Sequence, residues 1–138
     1  MKLLIIACSL LLSISLFAQD SVTLKTTDIQ ISLDNADKSY DHLSTYFGAV
    51  PVNSVSYANY TVTNIGDRPL AFRQARIAGP GFYARTNCNT VLPPRGGRCG
   101  FTIEFRPYFQ GYSSGQFMMS FEPDYTVIID LSGQAIRY

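Results

Sequence analysis

The stretch TNCNTVLPPRGGRCGFTIEFRP, from Thr86 to Pro107, decides how this chain folds. Phe101, Ile103 and Phe105 alternate with Thr102, Glu104 and Arg106, placing three large apolar side chains on one face and three polar ones on the other. That is the period of a half-buried β-strand. Pro107 removes a ladder donor, so the strand is expected to stop at about Arg106. Upstream, Pro93 and Pro94 fix φ while Gly96 and Gly97 permit positive φ, which predicts a tight reversal between Cys88 and Cys99. The chain doubles back there, and the two cysteines can meet.

Working outward, Met1 to Ala18 has the form of a secretory signal peptide: one basic residue, Lys2, and an apolar run from Leu3 to Phe17 broken only by Ser9, Ser13 and Ser15. The run is short for a membrane span, which needs about 20 apolar residues. Cleavage after Ala18 is expected, with Gln19 as the first mature residue; a retained N-terminal anchor is the alternative, because Leu16 is large for its place near the cut. Ile5-Ile6-Ala7-Cys8 resembles a lipoprotein box, but the apolar core follows the cysteine instead of preceding it, and that reading is set aside. Without residues 1–18 the chain is long enough for one domain with a real core and too short for two. Cys88 and Cys99 then remain as an even pair, which in an exported chain is expected to form a disulfide. Two free buried thiols are the alternative. A zinc site is disfavoured, since His42 is the single histidine.

The rest of the chain reads as short strands separated by turn signals. Asp28 to Leu33 is a first strand, preceded by an extension over 19–27, and the domain is expected over 28–138. Asp34 to Tyr46 is polar and aperiodic, and is expected to be a surface loop. Tyr46 to Val52 is edge-like, because Pro51 forbids a central position. Ser56 to Asn64 alternates, and Asn64 is expected to bond backbone at the turn that follows. Leu70 to Ile77 changes phase, predicting a bulge near Arg73-Gln74. Gly79-Pro80-Gly81 is a turn, Phe82 to Arg85 a short strand, and Phe109 to Ser114 a glycine-containing connection. Phe117, Met119 and Phe121 lead through Glu122-Pro123-Asp124 to a last strand with Tyr125, Val127, Ile129 and Leu131 inward, whose pattern breaks over Leu131 to Gln134. Seven or eight strands without a helical period in the mature chain indicate an all-β, antiparallel immunoglobulin-like β-sandwich.

A family resemblance accompanies this reading. Phe47-Gly48-x-Val50-x-Val52, Tyr60-x-Val62-x-Asn64-x-Gly66, Pro69-Leu70, Phe82, Cys88, Leu92-x-Pro94, Cys99-x-Phe101-x-Ile103-x-Phe105-x-Pro107, Gly111 and Leu131-x-Gly133 together resemble the ASH (abnormal spindle and Hydin) domain and its bacterial secreted, choice-of-anchor-like relatives. The resemblance spans residues 28–136. It implies a seven-stranded immunoglobulin-like sandwich related to major sperm protein and pilus-chaperone β-domains, with a noncatalytic binding or scaffolding role. Bacterial members carry a cysteine pair flanking the turn, as Cys88 and Cys99 do here. This sequence departs from their common pattern in showing a lone domain without a visible C-terminal anchor.

Net charge is +1, unevenly spread: five aspartates lie between Asp20 and Asp41, and seven arginines between Arg68 and Arg106. Those arginines either solvate several exposed faces or form a patch for an anionic partner. No aromatic-basic motif points to nucleic acid. The leading functional expectation is a non-enzymatic, periplasmic or secreted interaction or scaffolding module of the bacterial, Gram-negative cell envelope. Its partner would be another envelope or appendage protein, its contact residues Arg85, Arg95, Arg98, Tyr108 and Tyr112. A polymer- or glycan-binding surface protein, or a self-assembling structural subunit, is the alternative. Neither cofactor nor metal is called for, and no stable membrane span is expected after cleavage. The one Asp-His pair, Asp41-His42, with Ser39 and Ser44 nearby, falls short of a triad, whose groups must converge from separate elements. A pilus-type chaperone needs two domains with a cleft between them, and this chain supplies one; docking by strand addition into a larger assembly fits better.

Overall fold

The computed structural model describes residues 24–31 and 40–137. The expected leader with Cys8, the loop start at Asp34 and Ser39 lie outside the described residues. Nine strands form two sheets: β1 (Leu24–Ile31), β2 (Tyr40–Pro51), β3 (Ser56–Asn64), β4 (Leu70–Ala78), β5 (Phe82–Thr86), β6 (Val91–Leu92), β7 (Gly97–Phe105), β8 (Gly111–Glu122) and β9 (Tyr125–Ile136). One sheet has the order β1-β3-β7-β5 and the other β2-β9-β8-β4-β6. The described chain is all-β and immunoglobulin-like, as its alternation requires.

Each inner face follows from that alternation. Ala58, Tyr60 and Val62 of β3, and Phe101, Ile103 and Phe105 of β7, are buried against Phe117, Met119 and Phe121 of β8 and Val127, Ile129 and Leu131 of β9. Ring stacking of Phe101 on Phe117, at 4.6 Å between centroids, joins the layers, and Phe105 stacks on its cross-strand neighbour Phe82 at 4.8 Å within one sheet. The phase change in β4 is a bulge between Phe72 and Gln74, which returns Phe72, Ala75 and Ile77 to one face opposite Phe121, Met119 and Phe117. β7 ends at Phe105, just before Pro107. Cys88 and Cys99 form the disulfide, with Cα atoms 5.1 Å apart.

Several elements differ from the sequence expectation. β1 starts at Leu24, inside the expected extension, and all eight of its residues pair in parallel with β3. The expected loop up to Tyr46 is strand from Tyr40 onward, paired in parallel with β9 along the sheet edge. Pro51 closes that edge strand, where its missing N–H is harmless. The expected connection Phe109 to Ser114 is strand from Gly111, and β9 continues through Gly133 to Ile136. In the reversal before β7, Arg95 and Gly96 take positive φ, of 58° and 118°. Gly97 serves closeness instead: a Cβ there would lie 2.4 Å from the Pro93 carbonyl oxygen.

Asn64 fastens the end of the sandwich nearest the disulfide. It is fully buried, its Nδ2 donates to the carbonyls of Arg68 (2.7 Å) and Leu92 (3.2 Å), and its Oδ1 accepts from the Gly66 N–H (3.0 Å). One side chain thereby satisfies backbone from two loops. Leaving such buried groups unpaired costs about 1–3 kcal/mol each, so Asn64→Ala should lower unfolding free energy by roughly 3 kcal/mol in urea melts. Asn64→Asp, which cannot donate, should not rescue it.

Candidate functional site

The alternation that sends Phe101, Ile103 and Phe105 inward turns Arg98, Gly100, Thr102 and Glu104 out. Across the outer face Tyr57 and Tyr83 flank Glu104, and Asn59 and Arg85 flank Thr102. At Gly100 the row has no side chain. An open hollow of about 480 Å³ results, lined by Asn59, Arg85, Thr86, Asn87, Gly100 and Thr102 among others. A Cβ on Gly100 would meet only the Tyr60 carbonyl oxygen at 3.5 Å and Asn87 Oδ1 at 3.9 Å, which is ordinary contact. The glycine is therefore not needed for packing, and its effect is to leave the floor bare.

Polar groups at the hollow are partly used. Thr102 Oγ1 donates to Asn59 Oδ1 at 2.7 Å, and the Gly100 N–H donates to Asn87 Oδ1 at 2.7 Å. Among the described residues the side-chain amide donors of Asn59 and Asn87 have no partner. Beside the hollow, Glu104 accepts from Arg85 Nη2 at 2.6 Å and lies 3.6 Å from Arg106 Nη2. Its side chain is 11% exposed while that of Arg85 is 74% exposed. Two guanidiniums thus share one sheltered carboxylate, leaving one positive charge in excess. The consequence is to hold Arg85 and Arg106 over the face. β5, which carries Arg85, is the last strand of its sheet and keeps one edge unpaired among the described residues.

The five expected contact residues are not brought together. Arg85 borders the hollow. Arg95 and Arg98 lie at the disulfide end, Arg95 with its Nε donating to Asp67 Oδ1 at 3.2 Å. Tyr108 and Tyr112 lie at the opposite end, 56% and 70% exposed. Asp41 and His42 are parted as well, since consecutive strand residues face opposite ways. Asp41 accepts a hydrogen bond from Tyr125, whereas His42 Nε2 donates to Asp130 Oδ2 at 2.6 Å on the outer face of the five-stranded sheet. Sequence reading missed Asn59, Asn87 and Gly100; the available signal was a glycine at an outward position of an otherwise regular strand. Asp130 is 88 residues from His42 and carried no such signal.

Several hydroxyls and one carboxyl titrate away from their ordinary values. Burial first, then the bond and charge of Asp41, push the Tyr125 hydroxyl well above 10.0. Burial also raises Tyr60, opposed by its hydrogen bond with Thr45. Desolvation, then the Tyr112 hydroxyl, raises Tyr46. Asp130 is lowered from 3.8 by hydrogen bonds from Gln116 and then His42. Among the described residues no three His, Cys, Asp or Glu side chains converge as a metal site.

Comparison with known proteins agrees with this architecture. Residues 39–134 match the HYDIN/CFA65/VesB-like, Ig-like domain. The chain belongs to that family. Among solved structures it is similar to the ASH/PapD-like domain 7 of human CEP192, at a TM-score of 0.58 and 17% identity over 71% of this chain and 84% of that one. It is also similar to the secreted serine protease VesC from Vibrio cholerae, at a TM-score of 0.52 and 18% identity over 65% of this chain. It spans only 21% of VesC. No curated protein sequence matches the chain. The Ig-like domain of that family is a noncatalytic type of fold.

The lowered Asp130 makes a pH prediction. Its ionised form is favoured in the folded state, so its contribution is complete above the unfolded value of 3.8 and is lost as pH falls through the lower folded value. Asp130→Asn should lower Tm at pH 7, and thermal melts should show that difference closing as pH falls below 3.8 and through the lower folded value.

Proposed function

We propose that the protein is a non-enzymatic interaction module, exported to the periplasm or beyond, that engages another envelope protein through the outer face of its β1-β3-β7-β5 sheet. The observation that carries this reading is the bare floor at Gly100, walled by Arg85 and by the amide donors of Asn59 and Asn87, which have no partner among the described residues, and placed beside β5, the last described strand of its sheet. An extended segment can pair along β5 through its main chain while an acidic side chain meets Arg85. Two features support export: the leader-like Met1 to Ala18, and a family likeness that includes a secreted protein, VesC. The His42–Asp130 pair does not suggest catalysis, because both side chains are about half exposed on a sheet surface; hydrolysis needs a base and an oriented nucleophile sheltered together.

The same amide donors favour a second reading, a hydroxyl-rich polymer lying in the hollow. One variant set tests both. Gly100→Val should keep the fold and fill the floor, and Arg85→Ala should remove the wall. After mild crosslinking and affinity capture from native cells, both are expected to lose a specific protein by about tenfold or more, while Arg73→Ala on the other sheet retains it. Loss of a bound glycan instead would support the polymer reading. Unchanged recovery by both variants would discard this face.

A further inference from the structure

The end of the sandwich opposite the disulfide has a surface of different character. The geometry points to that end as a contact site for an anionic lipid bilayer surface. Tyr108 and Phe109, their rings packed edge to face at 4.7 Å, occupy the β7–β8 loop and are 56% and 44% exposed. Tyr112, 70% exposed, follows at the start of β8, and its hydroxyl bonds that of Tyr46, itself 45% exposed. Four large rings are therefore presented to solvent near one end of a domain in which every other described phenylalanine except the partly buried Phe72 is buried. Such rings, apolar in body and in three cases polar at the tip, suit the boundary between headgroups and acyl chains.

Positive charge is in excess at this end. Arg106 adjoins the aromatic loop, and Arg137 follows Ile136, whose carbonyl accepts from Val52 in the neighbouring turn. Asn53 of that turn in turn donates to the Pro107 carbonyl, which brings Arg137 beside the aromatic loop. The one carboxylate close by, Glu104, is already shared between Arg85 and Arg106. The other carboxylates with described side chains lie elsewhere: Asp67, Glu122, Asp124 and Asp41 towards the disulfide end, Asp130 on the sheet face. One carboxylate set against Arg85, Arg106 and Arg137 leaves positive charge in excess, which attracts phosphate headgroups.

Chain direction adds an independent argument. β1 begins at Leu24, opposite Tyr57, at this same end. The apolar run ending at Phe17 thus joins the domain here, within seven residues. Kept as an anchor, that run holds this end next to the bilayer.

The chain contains no tryptophan, so Phe109→Trp provides a single reporter. With vesicles containing phosphatidylglycerol its emission is expected to shift to shorter wavelength and to be quenched by brominated acyl chains, with far less response to pure phosphatidylcholine. Ile65→Trp, exposed at the other end, should show neither effect. Adding Arg106→Gln and Arg137→Gln should weaken the anionic-vesicle response by about tenfold or more. Thermal melts of each variant report whether the fold is kept, and Arg137→Gln alone, outside every strand, serves should the double change unfold. No shift at position 109 with either vesicle, or an equal shift at position 65, overturns the proposal.

Discussion

Phe105 and Gly133 face each other across the sandwich, and the spacing of the two sheets depends on their contact. A Cβ on Gly133 would sit 2.4 Å from the Phe105 ring, so only glycine lets β9 lie this close to β7. With the room so made, the ring of Phe105 stacks on Phe82 and leans on Phe47, tying β5, β7 and the inner side of β2 into one cluster. Gly115 plays a matching part on β8, where a Cβ would meet the Ala78 carbonyl oxygen at 2.3 Å and the Phe82 ring at 2.9 Å. Large rings on some strands and absent side chains on others are two halves of one packing solution, because interiors at near-crystalline density leave no slack for an added carbon.

That solution explains which parts of the fold were legible. β3, β7 and the middle of β8 and β9 alternate cleanly, and their registers could be read from hydrophobic period alone. The tail of β9 and the start of β8 could not, because Gly133 and Gly115 look like breaks when the facing rings of Phe105 and Phe82 are unknown. Glycine inside a strand can mark a close approach instead of an end. β2 was hidden for another reason. Its inward positions include Asp41 and Thr45, polar residues whose partners are the hydroxyls of Tyr125 and Tyr60. Polarity that is satisfied by a tyrosine tip at the margin of a core resembles a loop in sequence, although the backbone is fully extended. β1 shows the limit most simply, since its ladder to β3 begins four residues before any alternation does.

The candidate face was legible only in part, and the reason is again geometric. Arg85 could be singled out by its charge and position near the disulfide turn. Its grouping with Arg95, Arg98, Tyr108 and Tyr112 failed, because β7 carries the chain from one end of the sandwich to the other between Arg98 and Tyr108. Nearness in sequence across a strand of nine residues is separation in space, about 30 Å at the rise of an extended chain. The converse holds for Asn59 and Thr102, which are 43 residues apart and share a hydrogen bond through the β3–β7 register.

Because the inner faces are committed to packing, and Asn64 and the disulfide fix one end, recognition is confined to outer faces, edges and loop tips. The constraint is favourable for binding. A face whose side chains are held by cross-strand partners, as Glu104 holds Arg85 and Asn59 holds Thr102, loses little further freedom when a ligand arrives, so less of the contact energy is spent on ordering. The bare floor at Gly100 depends on the same rigidity. In a loose loop a missing side chain would be filled by its neighbours, whereas between two hydrogen-bonded strands the gap persists, and what fits there is decided by the spacing of the ladder together with Arg85, Asn59 and Asn87 around it.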